Sequence, residues 1–298
     1  MSRDGQSPPG LLPSRPVDSH KGTFGTVMVI GGCDDADSCM VGGPAFSALG
    51  ALRSGAGRVV MATPRGILGH CLEVSPSATG IPIDSIPFDD ESELRSQLEM
   101  FQTIVLGPGL GTGSVAERLV SSILSCRSST PIVIDADAIN IAARDPGQLI
   151  GSHSPCVLTP HPGEYRRLAH TLGISESPTS DTERIEAAMA LSQAVGAIAV
   201  LKGAGTVVAS GDSVWACDRG TPALATAGTG DVLAGIIAGL VAQSISLEQS
   251  SLWRMAAWGV WIHAVSGERW SANHGDSGLL AAELAAEVPG VMQSLPRS

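Results

Sequence analysis

Short apolar runs that end at small or charged residues constrain this chain more than any other feature. The runs are Thr26–Ile30, Arg58–Met61, Thr103–Leu106, Pro131–Ile134, Cys156–Leu158 and Ala197–Leu201. Each is too short for a helix and apolar on both faces, as strands buried inside a parallel sheet are. Stretches of helical character alternate with them. Gly42–Leu52 reads as a small-residue helix packed tightly on the sheet, and Val115–Leu124 has helical periodicity. Ser180 with Glu183 makes a capping box that opens a helix to about Val195. Thr206–Ala209 and Ser213–Ala216 flank Gly211-Asp212 as a hairpin. Helices follow over Thr229–Val241, most of Leu247–Ser271, and Leu279–Glu287, the last stopped near Pro289. The pattern predicts an α/β three-layer sandwich with a mostly parallel central sheet. Ligands of such sheets bind beyond the carboxyl ends of the strands, which is where Gly, Asp, His and Lys collect here.

Composition narrows the function. With 43% hydrophobic but only 3% aromatic residues, the core must be mostly Ala, Val, Leu and Ile. No linker divides the chain, so one catalytic domain is expected over residues 18–298, behind a Pro-, Gly- and Ser-rich tail or loosely held arm at 1–17. A net charge of −11 gives nothing to gain from counterion release, which argues against nucleic acid as a partner. The Arg166-Arg167 pair is expected on a solvated helix face. The six cysteines show no C-x-x-C pair or regular framework, and the chain opens without a hydrophobic signal segment. That fits reduced, mostly buried thiols, a cytoplasmic location and no zinc site. The most apolar run, Val232–Val241, is too short to span a bilayer, so no membrane role is expected. Trp253, Trp258 and Trp261 are expected in the core.

The strongest motif is Ala227-Gly228-Thr229-Gly230-Asp231. Its glycines let the backbone approach a ligand, and the helix opening at once offers free N–H groups to an anion. Asp231 either offsets the helix dipole or acts as a general base, and the base reading is favoured because a carboxylate beside a phosphate site is costly without a task. Lys202-Gly203-Ala204-Gly205-Thr206 is either a nucleotide contact or an ordinary turn. Within Thr159–Glu164, two prolines present His161 rigidly. Glu164 either helps hold Mg²⁺ or serves as a helix N-terminal acid. Gly107–Gly111 permits close approach of a bulky ligand, and Asp135 and Asp137 are either metal-associated or helix-capping. The chain has no G-x-x-x-x-G-K-[ST] P-loop, no G-x-G-x-x-G after the first strand, and no G-x-S-x-G elbow.

Together with His20–Gly25, Gly42–Ala45 and Arg53–Gly57, these motifs run in one order from His20 to the C-terminal helix. The chain resembles the ADP-dependent NAD(P)H-hydrate dehydratases, carbohydrate-kinase-like proteins of the ribokinase-like fold. The resemblance implies that ADP, or ATP, and Mg²⁺ serve removal of water from the S-epimer of hydrated NADH or NADPH, giving NAD(P)H, AMP and phosphate. It implies that Lys202, Gly203, Ala204, Gly205, Thr206, Gly228, Thr229 and Gly230 hold the nucleotide. Ala45, Gly109, His161 and Asp231 would contact the hydrated dinucleotide, with Asp231 catalytic and Glu164 toward the metal. It further implies a homotetramer and a separate epimerase acting upstream, since many relatives carry a fused epimerase domain for which the short tail leaves no room. A small-molecule hydroxyl kinase of the same fold and a non-catalytic adenine-nucleotide sensor are the rival readings.

Overall fold

The computed structural model describes residues 7–35, 38–150, 152–248 and 251–297. The strands are β1 (Thr26–Ile30), β2 (Cys33–Asp35), β3 (Ser38–Met40), β4 (Arg58–Thr63), β5 (Thr79–Pro82), β6 (Thr103–Leu106), β7 (Ile132–Ile134), β8 (Cys156–Leu158), β9 (Ile198–Leu201), β10 (Val207–Ser210) and β11 (Ser213–Ala216). The helices are α1 (Gly42–Arg53), α2 (Arg65–Val74), α3 (Glu91–Leu98), α4 (Ser114–Ser125), α5 (Asp137–Ala142), α6 (Gly147–Ile150), α7 (Pro162–Leu172), α8 (Asp181–Val195), α9 (Thr229–Ser246), α10 (Leu252–His274) and α11 (Ala281–Met292).

Nine strands form one sheet in the order β11-β10-β9-β8-β7-β6-β1-β4-β5. From β9 to β5 every pairing is parallel, and β10–β11 adds an antiparallel hairpin at one edge. The chain leaves β1 toward β4 and β5, then returns to build outward from β6. The order therefore reverses beside β1, which opens a crevice at the carboxyl ends. Strand alternation sorts the core by size. Val27, Val29, Val105 and Val133 face α1, α9, α10 and α11, while Met28, Ile30, Ile104, Leu106, Ile132 and Ile134 face the other helical layer. Small side chains on the first face let α1 and α9 lie close. A Cβ added at Gly235 would stand 2.0 Å from the Ser47 carbonyl oxygen, and one at Gly50 would stand 2.3 Å from that of Val232.

Several expectations need correction. The apolar helix continues beyond Val241 to Ser246, making Thr229–Ser246 long and apolar enough to cross a membrane, but 78% of it is buried within the protein. The closing helix passes Pro289 and ends at Met292, because one lost N–H in a last turn is outweighed by burying Val291 and Met292. The N-terminal arm is docked: Leu12 is fully buried, its N–H donates to the Pro296 carbonyl, and Arg15 donates to Gln243 while lying over the Phe24 ring. Residues 1–6 lie outside the described residues. All six cysteines are free, and five are buried, Cys39 being exposed. Arg166 and Arg167 are exposed on α7 as expected.

Candidate active site

At the N-terminus of α9, Gly228 takes the left-handed conformation at φ 88°, and no side chain caps the helix. A Cβ there would press within 2.8 Å of Phe46 and 2.9 Å of Ala281, so glycine is required on two counts. The preceding turn is tied down by the Thr229 hydroxyl, which donates to the carbonyls of Leu224 and Thr226 at 2.8 Å each. His263 of α10 lies 2.9 Å from the Thr229 carbonyl through Nε2. Burial pushes its pKa down to about 4, so the neutral ring donates this bond. The first turn of α9 is thus rigid: the Thr229 N–H turns back to the Thr226 carbonyl at 3.4 Å, and the N–H groups of Gly230 and Asp231 have no partner among the described residues.

A cavity of about 910 Å³ opens in front of that turn. Lys202, Gly203, Ala204, Gly205 and Thr206 line one side with Thr229 and Gly230. Arg219, Thr221 and Leu224 line the opposite side. Arg219 grips the Glu268 carboxylate through Nε and Nη2, and Glu268 also accepts the Gly220 N–H at 2.7 Å, which fixes that wall to α10. The Lys202–Gly205 turn is held from behind by Arg184 of α8. Its Nη2 donates to the carbonyls of Leu201 at 3.1 Å and Lys202 at 3.2 Å, with Gly205 at 3.5 Å.

The strand ends supply charge. Lys202 Nζ donates to Asp135 Oδ1 at 2.8 Å, and the Thr159 hydroxyl donates to the same oxygen at 2.6 Å. Burial alone would lower the Lys202 pKa, but the carboxylates of Asp135, Glu164 and Asp231 outweigh it and keep the ammonium charged. Between the two aspartates Ala136 sits at φ 49°, a region that non-glycine residues rarely adopt. This kink sends Asp135 to Lys202 while Asp137 accepts the Gly111 N–H at 2.9 Å. Asp231 follows Gly230 in the open helix turn. Burial raises its pKa to about 7, Asp135 and Asp137 add to the rise, and Lys202 opposes it. Its carboxylate makes no hydrogen bond among the described residues, so it is unspent.

His161 caps α7. Its Nδ1 accepts the Gly163 N–H at 2.9 Å, while its own N–H donates to Glu164 Oε2 at 2.8 Å. The other Glu164 oxygen lies 3.2 Å from His161 Nε2. Both oxygens of Glu164 are therefore engaged in the cap, and burial raises its pKa to about 7. Glu164 thus serves as the helix-terminal acid of α7. Among the described residues no three His, Cys, Asp or Glu side chains are grouped to hold an ion.

The fold brings Lys202–Thr206, Gly228–Asp231 and His161 to the same end of the sheet. The other two expected dinucleotide contacts are buried. Ala45 is fully buried in α1, and Gly109, at φ 63°, is buried beneath Met40, whose Cβ would be 3.0 Å from an added Cβ. Arg184, Arg219 and His263 escaped sequence reasoning because no local pattern marks them, only their meeting in three dimensions.

Comparison with known proteins agrees with this architecture. The chain matches the carbohydrate-kinase-type family described as NAD(P)H-hydrate dehydratase over residues 27–290. It is 35% identical to an ADP-dependent (S)-NAD(P)H-hydrate dehydratase of Neisseria meningitidis, covering 97% of this chain and 92% of that protein. It is 36% identical to a bifunctional NAD(P)H-hydrate repair enzyme of Moorella thermoacetica, covering 95% of this chain but 52% of the relative, so the chain spans about half the length of such bifunctional proteins. Among solved structures, an ADP/ATP-dependent NAD(P)H-hydrate dehydratase of Bacillus subtilis, co-crystallised with ATP and Mg²⁺, superposes with a TM-score of 0.74 at 28% identity, covering 95% and 94% of the two chains. A ribokinase of Cryptococcus neoformans shares the fold at a TM-score of 0.57 and 13% identity.

Proposed function

Since this chain belongs to the NAD(P)H-hydrate dehydratase family, we propose that it removes water from the S-epimer of hydrated NADH or NADPH at the expense of ADP. The observation that carries this reading is Asp231, an unbonded carboxyl with a pKa near 7 in the open first turn of α9. A base poised near neutrality takes a proton and returns it with little penalty. In this reading ADP occupies the cavity of Lys202–Thr206, with its phosphates toward Lys202 and the N–H of Gly230. ATP would fit the same cradle.

The chemistry follows from leaving groups. Hydroxide departs poorly from the ring, and phosphate departs well. Asp231 takes the proton of the ring hydroxyl as that oxygen attacks the β-phosphorus of ADP. The bond from β-phosphorus to the bridging oxygen breaks, and AMP leaves. The N–H groups at the head of α9 and the Lys202 ammonium are placed to stabilise the charge that develops on the transferring group. The ring nitrogen lone pair then expels phosphate, and loss of a proton from the adjacent ring carbon completes the reduced nicotinamide. Mg²⁺ would arrive on the nucleotide, held by phosphate oxygens and water, as this ion prefers. A cytoplasmic location, a homotetramer and a separate upstream epimerase complete the proposal.

The test is to mix the protein with hydrated NADH, Mg²⁺ and ADP, following the reduced-nicotinamide absorbance while AMP and phosphate are quantified. Growth of the band with AMP and phosphate in equal amounts supports the dehydratase. A stable phosphorylated product with no reduced nicotinamide would point instead to a hydroxyl kinase.

A further inference from the structure

A second cavity, of about 720 Å³, opens between α5 and α7. Asp137, Asn140, Arg144, Arg166, Arg167 and His170 are on its walls. Three of the chain's 18 Lys and Arg residues gather around this hollow, facing the carboxylates of Asp137 and Glu176. Their pairing shows which charges are free. Arg144 is tied to Glu117, and His170 Nδ1 lies 2.9 Å from the Glu176 carboxylate. Arg167 donates only to the neutral Asn140 Oδ1, at 2.9 Å, and Arg166 has no partner among the described residues. Two guanidinium groups on adjacent residues thus lack a carboxylate. Their planar forks suit phosphate oxygens better than a lysine would.

The cavity adjoins the catalytic end. Asp137 lines it and is also close enough to Asp231 for its charge to act there. Arg166 and Arg167 lie on the turn of α7 that follows His161, and the Arg167 charge is felt at both His161 and Glu164. The nucleotide cavity is lined by a separate set of residues, beginning at Lys202 and Gly230. A ligand with its reacting ring at Asp231, extended away from ADP, would run past His161 into the arginine-lined hollow. The hydrated dinucleotide carries such an extension, with a bridging diphosphate and, in the phosphorylated form, a 2′-phosphate.

We propose that Arg166 and Arg167 bind a phosphate group of the hydrated dinucleotide in the cavity between α5 and α7, an assignment that rests on the dehydratase reading. The test uses the full chain with Arg166→Ala and Arg167→Ala together, and the paired lysine variant as a charge-keeping control. Calorimetry with NADP⁺ and with inorganic pyrophosphate judges the site without turnover. The alanine pair should weaken NADP⁺ binding about tenfold, the lysine pair should recover part of it, and ADP affinity should stay within about twofold. In turnover, KM for the hydrated substrate should rise while kcat is largely kept. A rise with both hydrated NADH and hydrated NADPH assigns the arginines to the diphosphate, and a rise with hydrated NADPH alone assigns them to the 2′-phosphate. Unchanged NADP⁺ affinity in the alanine pair overturns the proposal, as does a wild-type chain that binds neither probe. Should wild type bind NADP⁺ yet turn over no substrate, the dehydratase reading fails while the effect of the alanine pair still decides the phosphate site.

Discussion

Lys202 and Asp135 meet at 2.8 Å where the carboxylate is almost out of reach of water. Removing one partner of such a pair leaves the other charge buried. Lys202→Ala should therefore weaken ADP binding and also destabilise the fold by about 1.5–3 kcal/mol, read by calorimetry and thermal melts. Adding Asp135→Asn to it should restore part of the lost stability, because no unpaired charge then remains. Arg184 acts at one remove, through the carbonyls of the Lys202–Gly205 turn. Arg184→Lys cannot span those acceptors with one ammonium, so KM for ADP should rise severalfold with kcat nearly unchanged. Asp231 carries a stability signature besides its chemistry. Its pKa is raised from 3.8 to about 7, so the folded state holds a proton that the unfolded state has released across that interval. The contribution of Asp231 to stability therefore falls as pH rises from about 4 to about 7. Asp231→Asn, which stays neutral, should melt increasingly above wild type over that window and hold a constant lead at higher pH.

Helices α1 and α9 touch backbone to backbone because Gly50, Gly235 and Gly239 leave room. The 2.0 Å separation of a Cβ at Gly235 from the Ser47 carbonyl cannot be absorbed by rotating a side chain. Gly235→Val should cost at least about 1–3 kcal/mol, lowering Tm by about 2–4 °C per kcal/mol and loosening the Gly228 turn at the head of α9. Elements of this kind were legible in the sequence wherever burial was two-sided. The fully buried strands β1, β6, β8 and β9 and the capped helix α8 matched their expected spans to within a residue. Elements with little burial left no comparable signal. The β2–β3 hairpin is mostly exposed and rich in acids, and β5 is a four-residue edge strand ending in Pro82. Local rules also mislead where tertiary burial outweighs them, as at Pro289. In the site, glycines and charges at strand ends could be read directly. The burial of Ala45, the capping role of Glu164, and the approach of Arg184 and His263 depend on contacts between elements far apart in the chain.

The molecule as a whole places its chemistry at one end of the sheet. Carboxyl ends of β6, β7, β8 and β9 deliver Gly107, Asp135, Thr159 and Lys202, and α9 brings its open N-terminus to meet them. The chain ends reinforce the layer behind this site, with Leu12 bonded to Pro296 and Arg15 to Gln243 of α9. A rigid frame is what a base needs when the hydroxyl it deprotonates and the phosphate under attack both arrive from solution. Asp231 is proposed as that base. It is tested most directly by Asp231→Asn, measuring ADP-dependent release of reduced nicotinamide and ADP affinity on the same preparation. Turnover should be lost, by at least about a hundredfold, while ADP binds as tightly as before or more tightly. Near-normal turnover in that variant would remove Asp231 as the base.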